Sequence, residues 1–347
     1  MFNGCTKLNY IKCLATDISA YNCTYNWVDG VASTGTFVQN PDMDGWETGV
    51  NGIPVNWTVE GGHDFSTKPL TFNILSAGTI NWTASDASIT KTIEYKLNNG
   101  EWTSIISNTG SSAPTINVIE GDKVQFRGSN TQYATSESNY NSFSGSTALF
   151  KAKGNIMSLI YGDDFKNKLT ISSAYTFYGL FSDCTGLTSA ENLILPATSL
   201  TNYCYGSMFL SCTSLTAAPK LPTTTLANDC YYQMFLSCTS LTTAPELPAT
   251  TLANDCYKYM FLGCTSLTTA PELPATTLAS YCYIDMFDGC KKLNYIKCLA
   301  TNISANNCTK NWVVGVASRG TFVKAADMTG WTTGNSGIPS GWAVQDA

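Results

Sequence analysis

The sequence predicts an α/β repeat solenoid with 26-residue rungs, joined to an all-β sandwich domain. A segment that begins at Met208 and ends at Pro219 recurs 26 residues later, from Met234 to Pro245. The same spacing separates phenylalanines 209, 235, 261 and 287, and cysteines 204, 230, 256, 282 and 308. A period of 26 falls within the roughly 20–29 residues of leucine-rich repeats, so we predict a solenoid of that class. Residues 64–150 lack the rung motif, and their short alternating segments predict strands.

The first half of each rung predicts a short helix. Asn228 and Asp229 are good N-cap residues, because their side chains accept hydrogen bonds from the free amides of a first turn. Cys230 and Met234 then follow at a spacing of four, and the apolar stripe continues past Phe235. A helix this short is unstable alone, so we expect the next rung to cover it.

The second half of each rung predicts an extended segment. Residues 241–247 are rich in threonine, which favours strands, but Pro245 has no amide hydrogen and must interrupt a ladder. We therefore expect parallel strands of about three residues, stacked from rung to rung. The side chains expected to point inward are those of Leu241, Ala244, Leu247 and Leu252.

A longer repeat sets the predicted domain boundaries. Residues 1–60 align without a gap with residues 286–345, and 42 of the 60 positions are identical. The predicted domains are a truncated last rung with the Trp-rich C-cap of a preceding module (1–60), an immunoglobulin-like sandwich (61–153), a leucine-rich-repeat solenoid (154–310) and a Trp-rich cap (311–347). Because the first residues lack the basic and apolar regions of a signal peptide, we expect a fragment or an internal start.

Composition argues against catalysis and against nucleic-acid binding. Charged residues make up 13% of the 347 positions, against roughly 25% in an average soluble domain, and the net charge is −6. His63 is the single histidine, and neither GxxxxGK(S/T) nor GxGxxG occurs. No stretch approaches the roughly 20 apolar residues of a transmembrane helix. We therefore predict no enzymatic activity, no catalytic or metal-ligating residue, no cofactor, no nucleic-acid partner and no membrane span.

Turn signals organise the predicted sandwich. Residues 92–97 alternate in polarity, and Asn98-Asn99-Gly100 after them is a strong hairpin signal. A second tight turn is predicted at Glu120-Gly121-Asp122, between strands at 116–118 and 124–126. About seven short strands with regular turns predict a sandwich, which serves either as a spacer or as a carrier of binding loops.

The fourteen cysteines are expected to be mostly free thiols in the core. Cys230 and Cys238 are eight residues apart near one predicted helix, about 12 Å, which exceeds the reach of a disulfide. Bonds between rungs remain an alternative. Cys13 and Cys298 lie outside the two cysteine series and are candidates for a special role.

After Cys308 the rung motif gives way to a tryptophan-rich segment that includes Trp312, Trp331 and Trp342. We predict an end cap, because the open end of a repeat array exposes its core. The alternative is an aromatic platform for sugar rings, since tryptophan faces stack on apolar surfaces.

The rung resembles the BspA-like leucine-rich repeat of bacterial surface proteins. Residues that carry the resemblance are Cys238 with Leu241, Pro245 with Pro248, and Phe261 before Cys264. It covers residues 154–310 and the stub at 1–25, although the 26-residue period is longer than usual and Met-Phe replaces the commoner Ala-Phe. The resemblance implies a cell-surface or secreted attachment protein of gut or oral bacteria, of the Bacteroides type. The sandwich likewise resembles immunoglobulin-like spacers of such proteins.

Candidate binding residues are those that form columns along the stacked rungs. One column on the extended half consists of Lys220, Glu246 and Glu272. A second consists of Tyr205, Tyr231, Tyr257 and Tyr283, which form either a packing column with hydroxyls at the surface or an aromatic strip for a glycan or protein. Variable pairs on the predicted helix are Tyr232/Gln233, Lys258/Tyr259 and Ile284/Asp285.

These features predict a non-enzymatic adhesion or ligand-binding protein, extracellular or at the cell surface. Its partner would be a host or bacterial surface protein or a glycan. One alternative is a structural stalk or phage-encoded fibre without a ligand of its own. Another is a glycan-binding accessory module of a larger protein.

Overall fold

The computed structural model describes two units of the chain, Met1–Asp64 and Phe65–Ala347. Their division lies close to the predicted boundary at residue 60. No helix among the described residues is long and apolar enough to cross a membrane. His63 lies outside the described residues, which are 1–15, 18, 20–40, 46, 48–60 and 64–347.

The first unit consists of rung-like turns joined by three short parallel strands. The strands are β1 (Tyr10–Cys13), β2 (Thr36–Gln39) and β3 (Thr58–Glu60), and they lie side by side in that order. Phe37 of β2 is fully buried, and its ring meets the ring of Trp27 edge-on at 6.1 Å between centroids. The core of this unit combines aromatic side chains from successive turns with the aliphatic side chains of Ile11, Val28 and Ile53.

The second unit begins with an all-β region of ten strands. In chain order, β4 to β13 are Leu70–Ile74, Gly78–Asn81, Thr83–Ala84, Thr92–Leu97, Thr103–Ile106, Thr115–Val118, Lys123–Arg127, Asn141–Ser142, Phe150–Asn155 and Leu187–Ile194. They form a six-stranded sheet in the order β13-β12-β4-β10-β7-β8 and two small sheets, β5-β9 and β6-β11. Helix α1 (Ser158–Tyr161) follows β12, and 3-10 helices lie at Phe65–Thr67, Ala87–Ile89, Gly110–Ser112 and Gly162–Phe165.

Both turns predicted in this region form, with different consequences. Strands β7 and β8 pair antiparallel around Asn98–Gly100, which confirms the hairpin. Strands β9 and β10 flank the turn at Gly121, where φ is 88°. However, β9 pairs with β5, whereas β10 pairs with β4 and β7. The second turn therefore connects two sheets and does not close a hairpin.

One ladder passes from the all-β region into the solenoid. Strand β12 pairs antiparallel with β4 on one side and parallel with β13 on the other. The ladder continues through single parallel bridges that join Ser189, Ala217, Thr243, Thr269 and Tyr295 in sequence. It ends in the parallel strands β14 (Tyr295–Cys298), β15 (Thr321–Lys324) and β16 (Ala343–Asp346). Because β12 crosses the predicted boundary after residue 153, the sheet has no break there.

The helix predicted at Asn228–Phe235 does not form, and a run of β-turns takes its place. Alternate amides donate hydrogen bonds within their own rung, as Tyr232 N does to Asp229 O at 3.1 Å. The amides between them bond to the next rung, as Tyr231 N does to Cys256 O at 3.2 Å. We call this run the turn ladder. From Asp229 to Cys238 every backbone amide donates a hydrogen bond in this pattern, without the i to i−4 bonds of an α-helix.

The apolar spacing that suggested a helix has another cause in the turn ladder. Every second turn places a residue at positive φ, at Asp229 (56°), Gln233 (55°) and Ser237 (59°), so the backbone repeats every four residues. Cys230 and Cys238 are fully buried at that repeat. Turns with a left-handed third residue resemble type II turns, for which Gly and Asn are the usual choices. A spacing of four is therefore shared by helices and by this ladder.

The extended half of the rung matches the predicted strands in direction and falls short in length. Neighbouring rungs meet in parallel at the bridge between Thr243 and Thr269 and not in three-residue strands. Leu241 and Leu247 are buried as predicted, whereas Ala244 and Leu252 are only half-buried. Pro245 explains the short pairing, because it offers no amide hydrogen to the ladder.

Two aromatic ladders fill the solenoid interior. In the first, the rings of Phe181, Phe209, Phe235, Phe261 and Phe287 stack with centroids 5.4–5.7 Å apart and planes within 4°. The second consists of Phe177, Tyr205, Tyr231, Tyr257, Tyr283, Trp312 and Trp331. Offset stacking of this kind adds to the stability gained by burial.

All fourteen cysteines are free, and the eleven of the second unit are buried. Burial raises the pKa of Cys204 and of Cys298 to about 12, so both thiols are protonated at neutral pH. The special role predicted for Cys298 has no support in its surroundings, because the thiol is enclosed in the core. Buried thiols of this kind behave as small apolar groups.

Replacement of Phe235 by alanine tests the first aromatic ladder. Phe235→Ala should lower the free energy of unfolding by about 3–5 kcal/mol, because a fully buried ring with partners on both neighbouring rungs is lost. Urea unfolding followed by circular dichroism measures the change. The matched control is Thr242→Ala at an exposed position of the same rung, with an expected change below about 0.5 kcal/mol. Small, equal changes for both variants would contradict the packing role.

Candidate functional site

The four tyrosines predicted to line a binding strip lie in the core. Tyr205, Tyr231, Tyr257 and Tyr283 are each at most 2% exposed, and their rings stack at 5.9–6.2 Å between centroids. The hydroxyl of Tyr205 is buried and has no hydrogen-bond partner among the described residues. These residues therefore form a packing column and not an accessible aromatic strip. The turn ladder points these side chains into the core. The predicted helix would have placed them at the edge of its apolar stripe.

The tryptophans of residues 311–347 close the end of the solenoid. Trp312 is fully buried and stacks on Tyr283 at 6.1 Å and on Trp331 at 5.5 Å between centroids. The indole N–H of Trp342 donates to the Ala317 carbonyl at 2.7 Å. These contacts correspond to the predicted cap, whereas a sugar platform would require exposed ring faces.

A different set of tyrosines is accessible on the outer side of the turn ladder. We call the half-buried residues Tyr175, Tyr203, Tyr232, Tyr259 and Tyr281 the tyrosine belt. Tyr175 stacks on Tyr203 at 4.7 Å with an interplanar angle of 4°, and Tyr232 meets both Tyr203 and Tyr259 edge-on at 5.8 Å. The belt thus presents aromatic rings from successive rungs on one surface.

Backbone strain accompanies most of the belt. Positive φ angles of 57–61° occur at Tyr175, Tyr203, Tyr259 and Tyr281. This conformation costs a bulky L-residue roughly 1–2 kcal/mol, and Asn, Asp and Gly tolerate it best. The rungs that lack tyrosine at the position of Tyr203 carry residues of that tolerant kind, Asp229, Asp255 and Asn307. The tyrosines therefore occupy positions that local conformation disfavours.

Charged groups surround the belt. Lys258 pairs with Asp255 at 3.0 Å between Nζ and Oδ1, and its ammonium lies 5.7 Å from the ring centroid of Tyr232 and 5.5 Å from that of Tyr259. Burial raises the pKa of Asp229 to about 6, and the Asp255 carboxylate adds to the rise. The belt therefore offers ring faces, a cation and carboxylates within one region.

The predicted charged column is exposed, and two of its members line a groove. Lys220, Glu246 and Glu272 are all accessible, and Glu272 pairs with Lys297 at 3.1 Å. The groove measures about 510 Å³ and is lined by Glu191, Lys220 and Glu246 together with prolines and threonines of two rungs. The column pattern does not include Glu191, because the 28-residue spacing of its rung aligns it with Pro219 and not with Lys220.

Proline explains the position of this groove. Neighbouring rungs are bridged before it, between Ala217 and Thr243, and again after it, between Thr225 and Thr251. The chain between these bridges contains buried and exposed prolines that offer no amide hydrogen to a ladder, at 219, 222, 245 and 248. The rungs therefore lack backbone pairing across the groove, which leaves an opening in the extended face.

No protein-family model, curated protein or solved structure matches the chain. Within the described part of the chain, no three His, Cys, Asp or Glu side chains are grouped so that they could hold a metal ion. The tyrosine belt with its charges and the groove are two accessible surfaces that the structure describes on the solenoid.

Asp229→Asn tests the electrostatics beside the belt. The folded-state pKa of about 6 lies above the ordinary 3.8, so ionisation of this carboxyl destabilises the fold as pH rises from about 4 through 6. The variant should match the unmodified chain below about pH 4 and exceed its stability at pH 7, by less than about 1 kcal/mol because the group is partly exposed. Thermal unfolding across this pH range measures the difference.

Asp255→Asn is the matched control for that comparison. Its carboxylate pairs with Lys258 at 3.0 Å and also repels Asp229, so the lost ion pair should offset the relieved repulsion and stability at pH 7 should rise less than in Asp229→Asn. Asparagine tolerates the positive φ of both positions, which excludes a backbone effect. A gain of the same size in both variants would contradict the assigned role of Asp229.

Proposed function

We propose that the chain is a non-enzymatic adhesion or ligand-binding protein of a bacterial cell surface or of the extracellular space. In this proposal the solenoid is the interaction surface, and the all-β region is an immunoglobulin-like spacer. The proposal includes membership in the BspA-like leucine-rich repeats, which the rung motif supports. The partner is a host or bacterial surface protein or a glycan, and no cofactor takes part.

The observation that carries this proposal is the tyrosine belt. Aromatic faces beside carboxylates and a lysine are the groups that commonly recognise sugar rings and the polar rims of protein partners. Ring stacking on the belt would orient a ligand along the rungs, while Lys258 and the neighbouring aspartates would select its polar groups. The strain at Tyr203 and Tyr259 gives further support, because conformational cost often accompanies functional positions.

A double variant of the belt tests the proposal. Tyr203→Asn with Tyr259→Asn removes two rings and installs a residue suited to the same φ. Relief of strain should offset the lost ring contacts, so that the free energy of unfolding changes by less than about 1 kcal/mol. Binding of the purified chain to an array of host glycans and extracellular-matrix proteins is measured, and we expect at least about a tenfold loss of affinity for any ligand found.

Tyr21→Asn is the control for this variant. Tyr21 is 94% exposed and lies in the first unit, outside the belt, so the same change there should leave binding intact. Equal loss in the control and the belt variant would contradict a specific site. Failure of the folded, unmodified chain to bind any member of the array would contradict adhesion and favour a structural stalk.

A charge exchange in the groove locates the site if the belt variant still binds. Lys220→Glu with Glu246→Lys reverses two of the three charges that line the opening and leaves the net charge unchanged. Both side chains are exposed, so stability should change by less than about 0.5 kcal/mol. Loss of binding in this variant alone would contradict binding at the tyrosine belt and would show that the ligand contacts the groove.

A further inference from the structure

One lysine of the solenoid already lies among rings and a carboxylate of the tyrosine belt. The ammonium of Lys258 is 5.7 Å from the ring centroid of Tyr232 and 5.5 Å from that of Tyr259. A third ring, that of Tyr281 on the next rung, has its centroid at 6.0 Å. The same ammonium donates to Asp255 Oδ1 at 3.0 Å. Because ring faces attract cations, Lys258 shows which chemical group this surface accommodates.

The preceding rung has the carboxylate of this arrangement without the lysine. Asp229 corresponds to Asp255, but the residue three positions after it is Tyr232, where Asp255 is followed by Lys258. The hydroxyl of Tyr203 lies beside the Asp229 carboxyl and partly offsets the rise in its pKa that burial and Asp255 cause. Asp229 is therefore a half-buried carboxylate among aromatic side chains, with no cation on its own rung.

Negative charge is in excess in this part of the belt. Apart from burial, the charged groups among the described residues that act most on the pKa of Asp229 are three. The carboxylates of Asp255 and Glu137 raise that pKa, and the ammonium of Lys258 lowers it. Glu137 is exposed and adds to the rise that burial causes in the pKa of Tyr232. Three carboxylates thus share one cation beside the rings.

The rings in this part of the belt meet at steep angles. Tyr203 and Tyr232 are 5.8 Å apart between centroids with an interplanar angle of 75°. The buried Tyr178 meets Tyr175 at 63° and Tyr203 at 62°. Gln233 Nε2 donates to the hydroxyl of Tyr232 at 3.0 Å, which helps to fix that ring. Aromatic cages that recognise quaternary ammonium groups and methylated lysine likewise surround a cation with rings.

We propose that the belt beside Asp229 and Glu137 binds the ammonium of a lysine side chain on a partner protein, as the next rung holds the ammonium of Lys258. The carboxylates would balance the charge of the incoming ammonium, and the rings would cover its methylene groups. This inference rests on the proposed function and narrows its partner to a protein with an exposed lysine. A quaternary ammonium group, which has related chemistry, is an outcome of the test.

The test is a titration of the full chain, with its tyrosine rings labelled with carbon-13 and followed by NMR. The probe is a tripeptide with a central lysine between glycines, blocked at both ends. Its matched control carries Nε-acetyl-lysine, which is longer but uncharged. We expect the belt signals to shift with the lysine peptide, and its affinity to exceed that of the acetylated peptide by at least about tenfold.

Two results of this titration would overturn the proposal. Equal affinities for the two peptides, or no shift of the belt signals with either, would show that the belt does not recognise an ammonium. Choline is titrated under the same conditions. If choline binds more tightly than the lysine peptide, the source of the cation is a quaternary ammonium group and not a lysine side chain.

Replacement of Lys258 tests whether the built-in ammonium competes for the same rings. Lys258→Met keeps an unbranched side chain, removes the charge and leaves Asp255 and the nearby rings open to the peptide. We expect the affinity for the lysine peptide to rise by about threefold or more. Lys310→Met is the matched control, because this exposed lysine lies two rungs later in the same column and carries the same charge. An equal gain in both variants, or no gain in a folded Lys258→Met, would contradict the proposal.

Removal of the unpaired carboxylate gives an independent arm. Asp229→Asn should lower the affinity for the lysine peptide by about tenfold, because asparagine keeps the local conformation and removes the charge. Glu246→Gln on the extended face is the control and should leave the affinity unchanged. Equal losses in the two variants would show attraction by net charge and would overturn a site at Asp229.

Failure of this inference is distinguishable from failure of the adhesion proposal. An array protein that binds at the belt equally well after acetylation of its lysines would overturn the inference and leave adhesion intact. Absence of any array ligand, together with belt shifts caused by the lysine peptide, would contradict adhesion to those proteins and support the ammonium site.

Discussion

The solenoid depends on how the turn ladder distributes its backbone hydrogen bonds. Alternate amides close turns within a rung, and the remaining amides reach the carbonyls of the next rung. A rung without its neighbour would leave those groups to water, and any that are buried would be costly. Cooperation between rungs is therefore set by the backbone before any side chain is considered. The side chains exploit the regular spacing that results.

Because of that spacing, the residues at one position of successive rungs form a column along the stack. A position that faces inward repeats as a stack, as in the ladder through Phe235, and a position that faces outward repeats as a strip. The left-handed positions are the exception, because backbone conformation limits which residues fit them. Tyrosine occurs there at Tyr203 and Tyr259 despite the limit, and those rings form the accessible belt. Conformational cost and exposure thus coincide on one surface.

The sequence alone predicted the period, the burial of the cysteine columns, the hairpin at Asn98–Gly100 and the solenoid. It did not distinguish a helix from a turn ladder, because both repeat every four residues and both accept the apolar residues at Cys230 and Met234. That error carried over to the site. On a helix Tyr231 would border the surface, whereas the ladder buries it and exposes its neighbour Tyr232 in part. Assigning the accessible ring required the hydrogen-bond pattern, which no composition or spacing records.

The turn side and the extended side of a rung are held to the next rung by different numbers of backbone hydrogen bonds. On the turn side, five amides of one rung donate to the next, those of Asp229, Tyr231, Gln233, Phe235 and Ser237. On the extended side of the rungs between Ala217 and Thr269, prolines leave isolated bridges, and the groove lies between two of them. The stack is consequently stiffer along the turn side than along the proline side. From this difference we expect that bending of the stack would open the proline side, and so widen the groove, more than it would disturb the belt.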